Sequence, residues 1–314
     1  MKLLSLPFRF ILSVTLLLLT ASLVSAEHRV LVQGNGKLAI VDPKGNIEWE
    51  MPWGGIHDLH VLSSGHIMVQ EGASKIVEID PKTKKVVWSY DSAAMNDNKG
   101  KPVEVHSFQP LDDDRIMIAE SGPGRIIEID RAGKIRCEIK LKVKNPSPHR
   151  DTRLVRKLPG GNYLVCHEGD GAVREYDAKG NVVWEYEVPL FDQKRKDGHG
   201  PEAWGNQCFA ALRLNNGNTL ITTGNGHSVL EVTPEKKIVW QVGQKDLPGI
   251  VLAWVTTIEV LPSGNYVIGN CHAGKGQPLL VEIEPATKRI VWRFDEYDRW
   301  GNSVSNTKIV DGQK

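Results

Sequence analysis

The stretch Val86-Val87-Trp88-Ser89-Tyr90 decides the fold, because versions of it recur along the 314-residue chain. A β-branched residue stands one or two positions before a Trp, and the copies follow one another at spacings of roughly 40 to 55 residues, a period that repeat proteins use. In one degenerate copy Cys137 takes the Trp position. The further copies are Asn46-Ile47-Glu48-Trp49, Lys134-Ile135-Arg136-Cys137, Val182-Val183-Trp184-Glu185-Tyr186, Ile238-Val239-Trp240 and Ile290-Val291-Trp292.

Each unit contains the same parts in the same order, as the fourth copy shows. A short alternating segment, residues 152–158, leads into the turn Pro159-Gly160-Gly161-Asn162 and the apolar strand Tyr163-Leu164-Val165-Cys166. Residues 172–177 form the next strand, and residues 182–187 follow after a second turn. Four short antiparallel strands in a unit of this length are typical of a propeller blade. The sequence therefore predicts an all-β protein.

The two ends of the chain complement each other. Residues 28–51 supply only three strands of the first blade, and the segment Ser305-Asn306-Thr307-Lys308-Ile309-Val310 resembles the missing innermost strand. Closure by this C-terminal strand removes the edges that an open array would expose. We therefore expect a six-bladed β-propeller with four-stranded antiparallel blades. A seven-bladed ring and a stacked β-solenoid are the alternatives.

The first 26 residues have the pattern of a secretory signal peptide. Lys2 and Arg9 precede a short apolar run, and Val24-Ser25-Ala26 offers small residues for cleavage before Glu27. We expect residues 27–314 to be a single propeller domain, periplasmic or secreted, with no membrane span; an uncleaved anchor is the alternative. The 39 basic and 38 acidic side chains give no reason to expect nucleic acid or an anionic membrane as partner.

The loops predict where a site would lie. Connections within blades are tight, whereas those between blades are long, and long irregular loops usually have a use. In an up-and-down blade the long connections share one face, the long-loop face, with the starts of the inner strands and the ends of the second strands. His149, His199 and His227 also lie in loops on this side. The predicted metal ligands at the channel mouth are His57, His106, His167, Glu71, Glu120 and Glu168.

These residues allow two interpretations. Imidazoles and carboxylates that converge at a channel mouth can bind a divalent metal or act as general acid and base. The alternative is a hydrated polar lining without a specific ligand. Cys166 and Cys208 are predicted to lie toward the same face of adjacent blades, either as a disulfide or as two buried free thiols.

The repeat resembles that of the PQQ-like (quinoprotein-like) propellers. The resemblance rests on Val77-Glu78-Ile79-Asp80-Pro81-Lys82 before Trp88 and on Val281-Glu282-Ile283-Glu284-Pro285 before Trp292. It covers essentially the whole chain after the signal peptide. The quinoprotein dehydrogenases of this superfamily typically have eight blades and a vicinal Cys pair against the quinone, and no two Cys are adjacent here. We therefore do not expect PQQ as a cofactor.

The same superfamily contains assembly scaffolds and arylsulfotransferase-like enzymes, and fold does not choose between them. The chain is similar to the latter in having His and Arg at the predicted mouth. Our first hypothesis is a binding or scaffold module that engages a protein, glycan or small-molecule ligand through the long-loop face. The alternative is an arylsulfotransferase-like enzyme or a metal-dependent lyase or hydrolase. Its candidate catalytic residues are His57, His106, Arg153, His167 and His272.

Overall fold

Six four-stranded antiparallel sheets make up the protein in a computed structural model that describes residues 28–312. The six inner strands contact one another in cyclic order, so the sheets form a closed ring. This arrangement confirms the predicted all-β, six-bladed β-propeller and excludes both the seven-bladed ring and the solenoid.

The blades follow the chain, and each runs from an inner strand beside the central channel to an outer strand. In blade 1 the order is β24, β1, β2, β3. The strands are β1 (Val30–Gly34), β2 (Lys37–Val41), β3 (Ile47–Pro52), β4 (Leu59–Val61), β5 (Ile67–Glu71), β6 (Lys75–Asp80), β7 (Lys85–Asp91), β8 (Glu104–Pro110), β9 (Ile116–Ser121), β10 (Arg125–Ile129), β11 (Ile135–Lys140), β12 (Val155–Lys157), β13 (Tyr163–His167), β14 (Ala172–Tyr176), β15 (Val182–Glu187), β16 (Ala210–Arg213), β17 (Thr219–Thr222), β18 (Ser228–Val232), β19 (Ile238–Gly243), β20 (Trp254–Val260), β21 (Tyr266–Cys271), β22 (Leu280–Glu284), β23 (Arg289–Phe294) and β24 (Thr307–Ile309).

The C-terminal strand closes the ring, as predicted. β24 pairs antiparallel with β1, with Val30 opposite Ile309 and Val32 opposite Thr307. Between β23 and β24 lies one helical turn, α1 (Tyr297–Trp300). The backbone of Trp300 lies against Gly34, where a side chain on residue 34 would collide with it. The absence of a Cβ at Gly34 therefore lets the closing segment pack onto blade 1.

The repeated Trp joins neighbouring blades. Within its own blade it lies opposite a residue just before the end of the third strand, as Trp88 lies opposite Glu78. Its indole N–H donates to a backbone carbonyl in the next blade. The pairs are Trp49 to Pro81 (2.8 Å), Trp88 to Arg131 (2.8 Å), Trp184 to Pro234 (2.9 Å) and Trp240 to Pro285 (2.8 Å). The repeat thus supplies both an aromatic contact and a hydrogen bond at each of these junctions.

The connections divide the molecule into two faces. Turns within a blade are short wherever the first strand meets the second or the third meets the fourth, for example residues 62–66. The connections between blades occupy residues 53–58, 92–103, 141–154, 188–209, 244–253 and 295–306. They meet the starts of the inner strands on the long-loop face, which is where the sequence placed the candidate site.

The sequence also predicted a cleaved signal peptide and no membrane span after it. The predicted signal peptide, residues 1–26, lies outside the described residues. Within residues 28–312, no helix has the length and apolar character needed to cross a membrane.

Candidate functional site

Three histidines converge at the mouth of the channel on the long-loop face. The ring centroids of His57 and His106 are 4.6 Å apart, and those of His106 and His149 are 5.3 Å apart. His57 and His149 complete the triangle at 6.2 Å. Two of the three, His57 and His106, were predicted as site residues, and we call the three together the mouth histidines.

Glu104 binds two of the mouth histidines through one oxygen. Its Oε2 lies 2.9 Å from His106 Nε2 and 2.8 Å from His149 Nδ1. The nitrogen on the other side of the His106 ring, Nδ1, lies 3.0 Å from the carbonyl oxygen of Thr152. One carboxylate and two imidazoles, from strand β8 and from the connection between blades 3 and 4, therefore meet at a single point.

A β-bulge in the inner strand places His106. Val105 lies opposite Glu120 and Ser107 lies opposite Ala119, so His106 is the extra residue in β8. A bulge turns the side chain of its extra residue away from the regular alternation, and bulges are frequent beside functional sites. Here it brings the ring of His106, which is 1% exposed, next to Glu104.

Burial and charge shape the titration of these groups. Burial lowers the pKa of His57 well below its usual value, and the neighbouring His106 and Arg153 act in the same direction. Burial also lowers the pKa of His106, against the opposing effect of Glu104. The hydrogen bond from His106 lowers the pKa of Glu104 to about 2. An ionised carboxylate beside imidazoles that resist protonation is suited to a cation.

Arg153 forms the adjoining wall of the mouth. It is 4% exposed, pairs through Nε with Glu168, and its guanidinium lies 5.7 Å from the ring centre of Phe209. Gln207 Nε2 donates to the other oxygen of Glu168 at 3.2 Å. Arg153 Nη1 and His57 Nδ1 are both buried, and neither atom has a hydrogen-bond partner among residues 28–312.

Glu168 therefore lies at the mouth, but the other predicted carboxylates and His167 do not join the mouth histidines. Glu71 pairs with Lys75, and Glu120 pairs with Arg125 at 2.6 Å. His167 is fully buried, and both of its ring nitrogens are occupied: Nδ1 by the carbonyl oxygen of Asp151 at 2.7 Å and Nε2 by the Tyr176 hydroxyl at 2.9 Å. Burial lowers the pKa of His167 to about 4. Glu71, Glu120 and His167 therefore pair with nearby groups, apart from the mouth histidines.

His272 belongs to a second group of aromatic side chains. Its ring centroid is 5.2 Å from that of His199, which in turn lies 4.4 Å from Trp254. Burial lowers the pKa of His272, and His199 adds to the effect. The ring nitrogens of His227, the third predicted loop histidine, lie 2.6 and 2.7 Å from the backbone carbonyl oxygens of Ala253 and Ala203, so the residue supports loops.

Below the mouth, the channel is crossed by a buried polar network. Arg156 donates to both oxygens of Asp58, at 2.7 and 2.9 Å, and Ser107 donates to Asp58 at 3.0 Å. Asn306, just before the closing strand, donates to the same carboxylate at 3.3 Å. The network joins blades 1 to 4 and forms a floor. Beneath it a cavity of about 520 Å³ opens toward the face with the tight turns, lined by residues that include Arg156, Arg213, Glu259 and Lys308.

Cys166 and Cys208 are adjacent free thiols. The Cys208 thiol donates to the backbone carbonyls of Ala172 and His167, at 3.5 and 3.8 Å. Burial, together with the hydrogen bond to Cys208, raises the pKa of Cys166. Of the two predicted alternatives, the structure has the buried thiols.

Two residues of the site were missed as ligands. Glu104 precedes His106 by two positions, which places side chains on one face of a regular strand, but the bulge at His106 interrupts this alternation, so the spacing alone did not identify the pair. His149 was assigned only to a loop on the correct side. Its approach to Glu104 depends on the path of residues 141–154, which no local pattern specifies.

Comparison with known proteins extends this description. The sequence profile of the family described as outer membrane protein assembly factor BamB matches residues 34–294. A search of curated proteins found no match. Among solved structures, a protein of unknown function from Bacteroides caccae has a TM-score of 0.73 at 23% identity, with 90% of this chain and 98% of that chain covered.

Two solved structures named as lyases have the same fold at lower similarity. A streptogramin B lyase has a TM-score of 0.55 at 15% identity, covering 86% of this chain and 83% of its own. Virginiamycin B lyase from Staphylococcus aureus has a TM-score of 0.53 at 15% identity, with 86% and 84% covered. These identities show the fold alone, whereas the profile match spans most of the blades. The chain therefore belongs to the PQQ-like β-propeller family described as outer membrane protein assembly factor BamB.

Proposed function

We propose that the protein is an exported β-propeller that binds a small anionic ligand at the mouth of its channel on the long-loop face. Export is supported by the signal-peptide pattern of residues 1–26 and by a family description that refers to the outer membrane. A protein or glycan partner on the same face, as in a scaffold, is the competing occupant.

The observation that carries the proposal is the pair of unpartnered polar atoms at the mouth. His57 Nδ1 and Arg153 Nη1 are buried and lack partners among residues 28–312. A buried donor or acceptor without a partner costs roughly 1–3 kcal/mol, so a water molecule or a ligand usually satisfies it. A ligand that reaches the mouth would satisfy both atoms.

The guanidinium of Arg153 makes an anion the ligand to test. A guanidinium binds carboxylate, phosphate or sulfate in a fixed geometry, and Arg153 Nη1 is still free within the described part of the chain, whereas its Nε pairs with Glu168. Arg150 and Arg195 line a small adjoining pocket of about 90 Å³ together with Gln207 and the acidic Glu168 and Asp197, so an anion there would be held by the arginines against these carboxylates. The ligand would therefore place an acidic group over Arg153 and a neutral part toward Phe209.

The test is thermal unfolding with a panel of probes at constant ionic strength and with a chelator present. The probes are phosphate, sulfate and citrate, with a neutral disaccharide as control. A ligand present at 100 times its Kd stabilises the folded state by about 2.7 kcal/mol. We expect at least one anion to raise the melting temperature of the wild type, and Arg153→Lys, which keeps the charge but loses the fork, to reduce the shift.

Stabilisation by the disaccharide alone would favour a glycan site. No shift with any probe, or equal shifts in Arg153→Lys, would contradict the small-anion proposal. Capture of a partner that protects the long loops from proteolysis would then support the scaffold alternative.

An enzyme is the second candidate, because three imidazoles converge at the mouth. His57 lies 4.6 Å from His106 between ring centroids, and neighbouring imidazoles can exchange protons with a bound substrate. Two structural neighbours named as lyases motivate a lyase assay, although their identity of 15% carries no argument about activity. Release of 4-nitrophenol from its sulfate, with and without a phenol acceptor, tests the arylsulfotransferase alternative. Activity that His57→Gln abolishes would establish the enzyme.

A further inference from the structure

We infer that Glu104, His106 and His149 form a binding site for one divalent transition-metal ion, of the kind that Zn²⁺ occupies. The inference rests on the proposed function, because it assigns a metal cofactor to the same channel mouth. It replaces the predicted ligand set, of which only His106 is retained as a direct ligand.

The three ligand atoms have the spacing that a metal requires. One atom from each residue lies within 4.8 Å of the other two, and among residues 28–312 these are the three ligating side chains that satisfy this condition. Two imidazole nitrogens and one carboxylate oxygen are a common donor set for zinc and neighbouring first-row metals. Magnesium and calcium prefer sites built of oxygen atoms, so they fit this set poorly.

The hydrogen bonds of His106 supply an independent argument. Its Nδ1 faces the carbonyl oxygen of Thr152 and its Nε2 faces Glu104 Oε2, so both ring nitrogens face acceptors. A neutral imidazole has one N–H and can satisfy one of the two. If that N–H points to Thr152, the lone pair of Nε2 faces a carboxylate oxygen at 2.9 Å, and a cation between them would turn repulsion into attraction.

The hydrogen bond of His106 Nδ1 to the Thr152 carbonyl also fits a metal site. A ligating histidine usually donates its other ring N–H to a carbonyl or carboxylate, which fixes the tautomer and the ring orientation. The carbonyl of Thr152 takes that role for His106, and Thr152 is itself held by Ser121, whose Oγ lies 2.8 Å from Thr152 Oγ1 and accepts from the Thr152 N–H at 3.0 Å. The ring is therefore oriented before any ion arrives.

His149 is brought to the same point by an anchored loop. The backbone N–H of Ser147 and that of Gly122 both donate to the carboxylate of Asp151, at 2.5 and 2.9 Å. This fixes residues 147–151 against blade 3, while the His149 side chain is 59% exposed. The third ligand is thus positioned by its loop and still open to solvent, which gives an ion a route into the site.

His57 lies beside the three ligands without being one of them. Its backbone N–H donates to Gln70 Oε1 at 2.8 Å, which holds the residue in place, and its Nδ1 is buried and unpartnered within the described chain. Three protein ligands leave a fourth position for water or an anion, as in zinc sites that act on ligands. We assign His57 a positioning role toward whatever occupies that position.

The experiment is a titration of the chelator-treated, redialysed protein with ZnCl₂, followed by calorimetry and by elemental analysis. Co²⁺ serves as a second probe, because its visible spectrum reports ligand geometry independently of activity. We expect one Zn²⁺ per chain. Glu104→Gln and His149→Ala should each weaken zinc binding by about 100-fold or more. Replacing a residue that only hydrogen-bonds a metal ligand typically weakens binding by about 10- to 100-fold, and loss of a ligand itself should cost at least as much. The matched control is His199→Ala, which removes another exposed loop histidine at the mouth.

The outcomes separate cleanly. Retention of binding in His199→Ala, with loss in the other two variants, would establish the assignment. No zinc binding would mean that a proton occupies the contact between His106 and Glu104, and it would overturn the inference. So would equal loss in all three variants. His149→Ala removes an exposed side chain, so its melting temperature should match the wild type and a folding defect would be recognised.

The inference and the proposed function can fail separately. The anion panel is run with a chelator present, so stabilisation there together with no zinc binding would remove only the metal site. Stoichiometric zinc binding with no response to any anion would remove the small-anion proposal and leave the metal site standing.

Discussion

Replacing Trp240 by Phe tests whether the repeated Trp stabilises the ring through its indole N–H. Trp240 lies in the outer strand of blade 5, and its Nε1 donates to the carbonyl oxygen of Pro285 in blade 6 at 2.8 Å. Its ring also meets Tyr266 edge-on, with centroids 5.4 Å apart. Phe keeps an aromatic ring at the junction but cannot donate, so the change removes the hydrogen bond and a small part of the packing.

The expected loss is the sum of two modest effects. A hydrogen bond contributes about 1 kcal/mol net, and Pro285 is partly exposed, so water can replace the lost donor. The smaller ring gives up roughly another 1 kcal/mol of burial, the worth of one or two methylene groups. For a domain of this size, about 2 kcal/mol lowers the melting temperature by roughly 3 to 4 °C.

The assay is thermal unfolding followed by circular dichroism, and the matched control is Trp300→Phe. Trp300 is 1% exposed, and its indole N–H has no partner among residues 28–312. Trp300→Phe loses a similar amount of packing, but it also removes an unpaired buried donor, and this gain offsets the loss. We therefore expect a change in melting temperature near zero. If Trp300→Phe lowers the melting temperature as much as Trp240→Phe does, the role of the Trp240 hydrogen bond is refuted.

Three further predictions address other parts of the chain. Burial alone would raise the pKa of Asp58, but Arg156 and His60 hold it below its usual value, so the ionised carboxylate stabilises the fold above about pH 4 and this stabilisation is lost as the pH falls. Asp58→Asn should therefore lower the free energy of unfolding by about 3–5 kcal/mol at neutral pH, and the melting temperature of the variant should vary less in acid than that of the wild type. A thiol titration with a colorimetric disulfide reagent should detect Cys166 and Cys208 only after denaturation, with all four cysteines then reacting; two thiols instead of four would show a disulfide. N-terminal sequencing of the exported protein should begin at Glu27, and an intact Met1 would favour the uncleaved anchor.

The repeat made most of the fold predictable, because each blade carries its own copy of the signal. The match between residues 28–51 and the C-terminal segment was sufficient to predict closure, and β24 pairs with β1 as expected. Even the degenerate copy follows the rule, since Cys137 lies opposite Glu128 as Trp88 lies opposite Glu78. Turn chemistry and strand alternation are local, so the sequence specifies them directly.

The site was predictable only in part, because it depends on contacts between segments that are distant in sequence. His57 and His106 begin inner strands and face the channel, so strand order was enough to bring them together. Predicting Glu104 and His149 as ligands would have required knowledge of the bulge at His106 and of the path of residues 141–154. Neither leaves a pattern that one sequence reveals.

The structural role of His167 recurs at the corresponding position of two other blades. In these three blades a polar residue at the end of the second strand, or one position before it, hydrogen-bonds the backbone of the long connection that enters its own blade. Gln70 accepts from the N–H of His57, His167 bonds the carbonyl of Asp151, and Asn270 accepts from the N–H of Ala253, at 2.8, 2.7 and 2.9 Å. A buried backbone group needs a partner, so these side chains are committed to holding the loops. At the starts of inner strands, His57 and His106 instead bring their rings together at the channel mouth, with centroids 4.6 Å apart. In this propeller, a histidine at the start of an inner strand is therefore the better candidate for ligand binding than one at the end of a second strand.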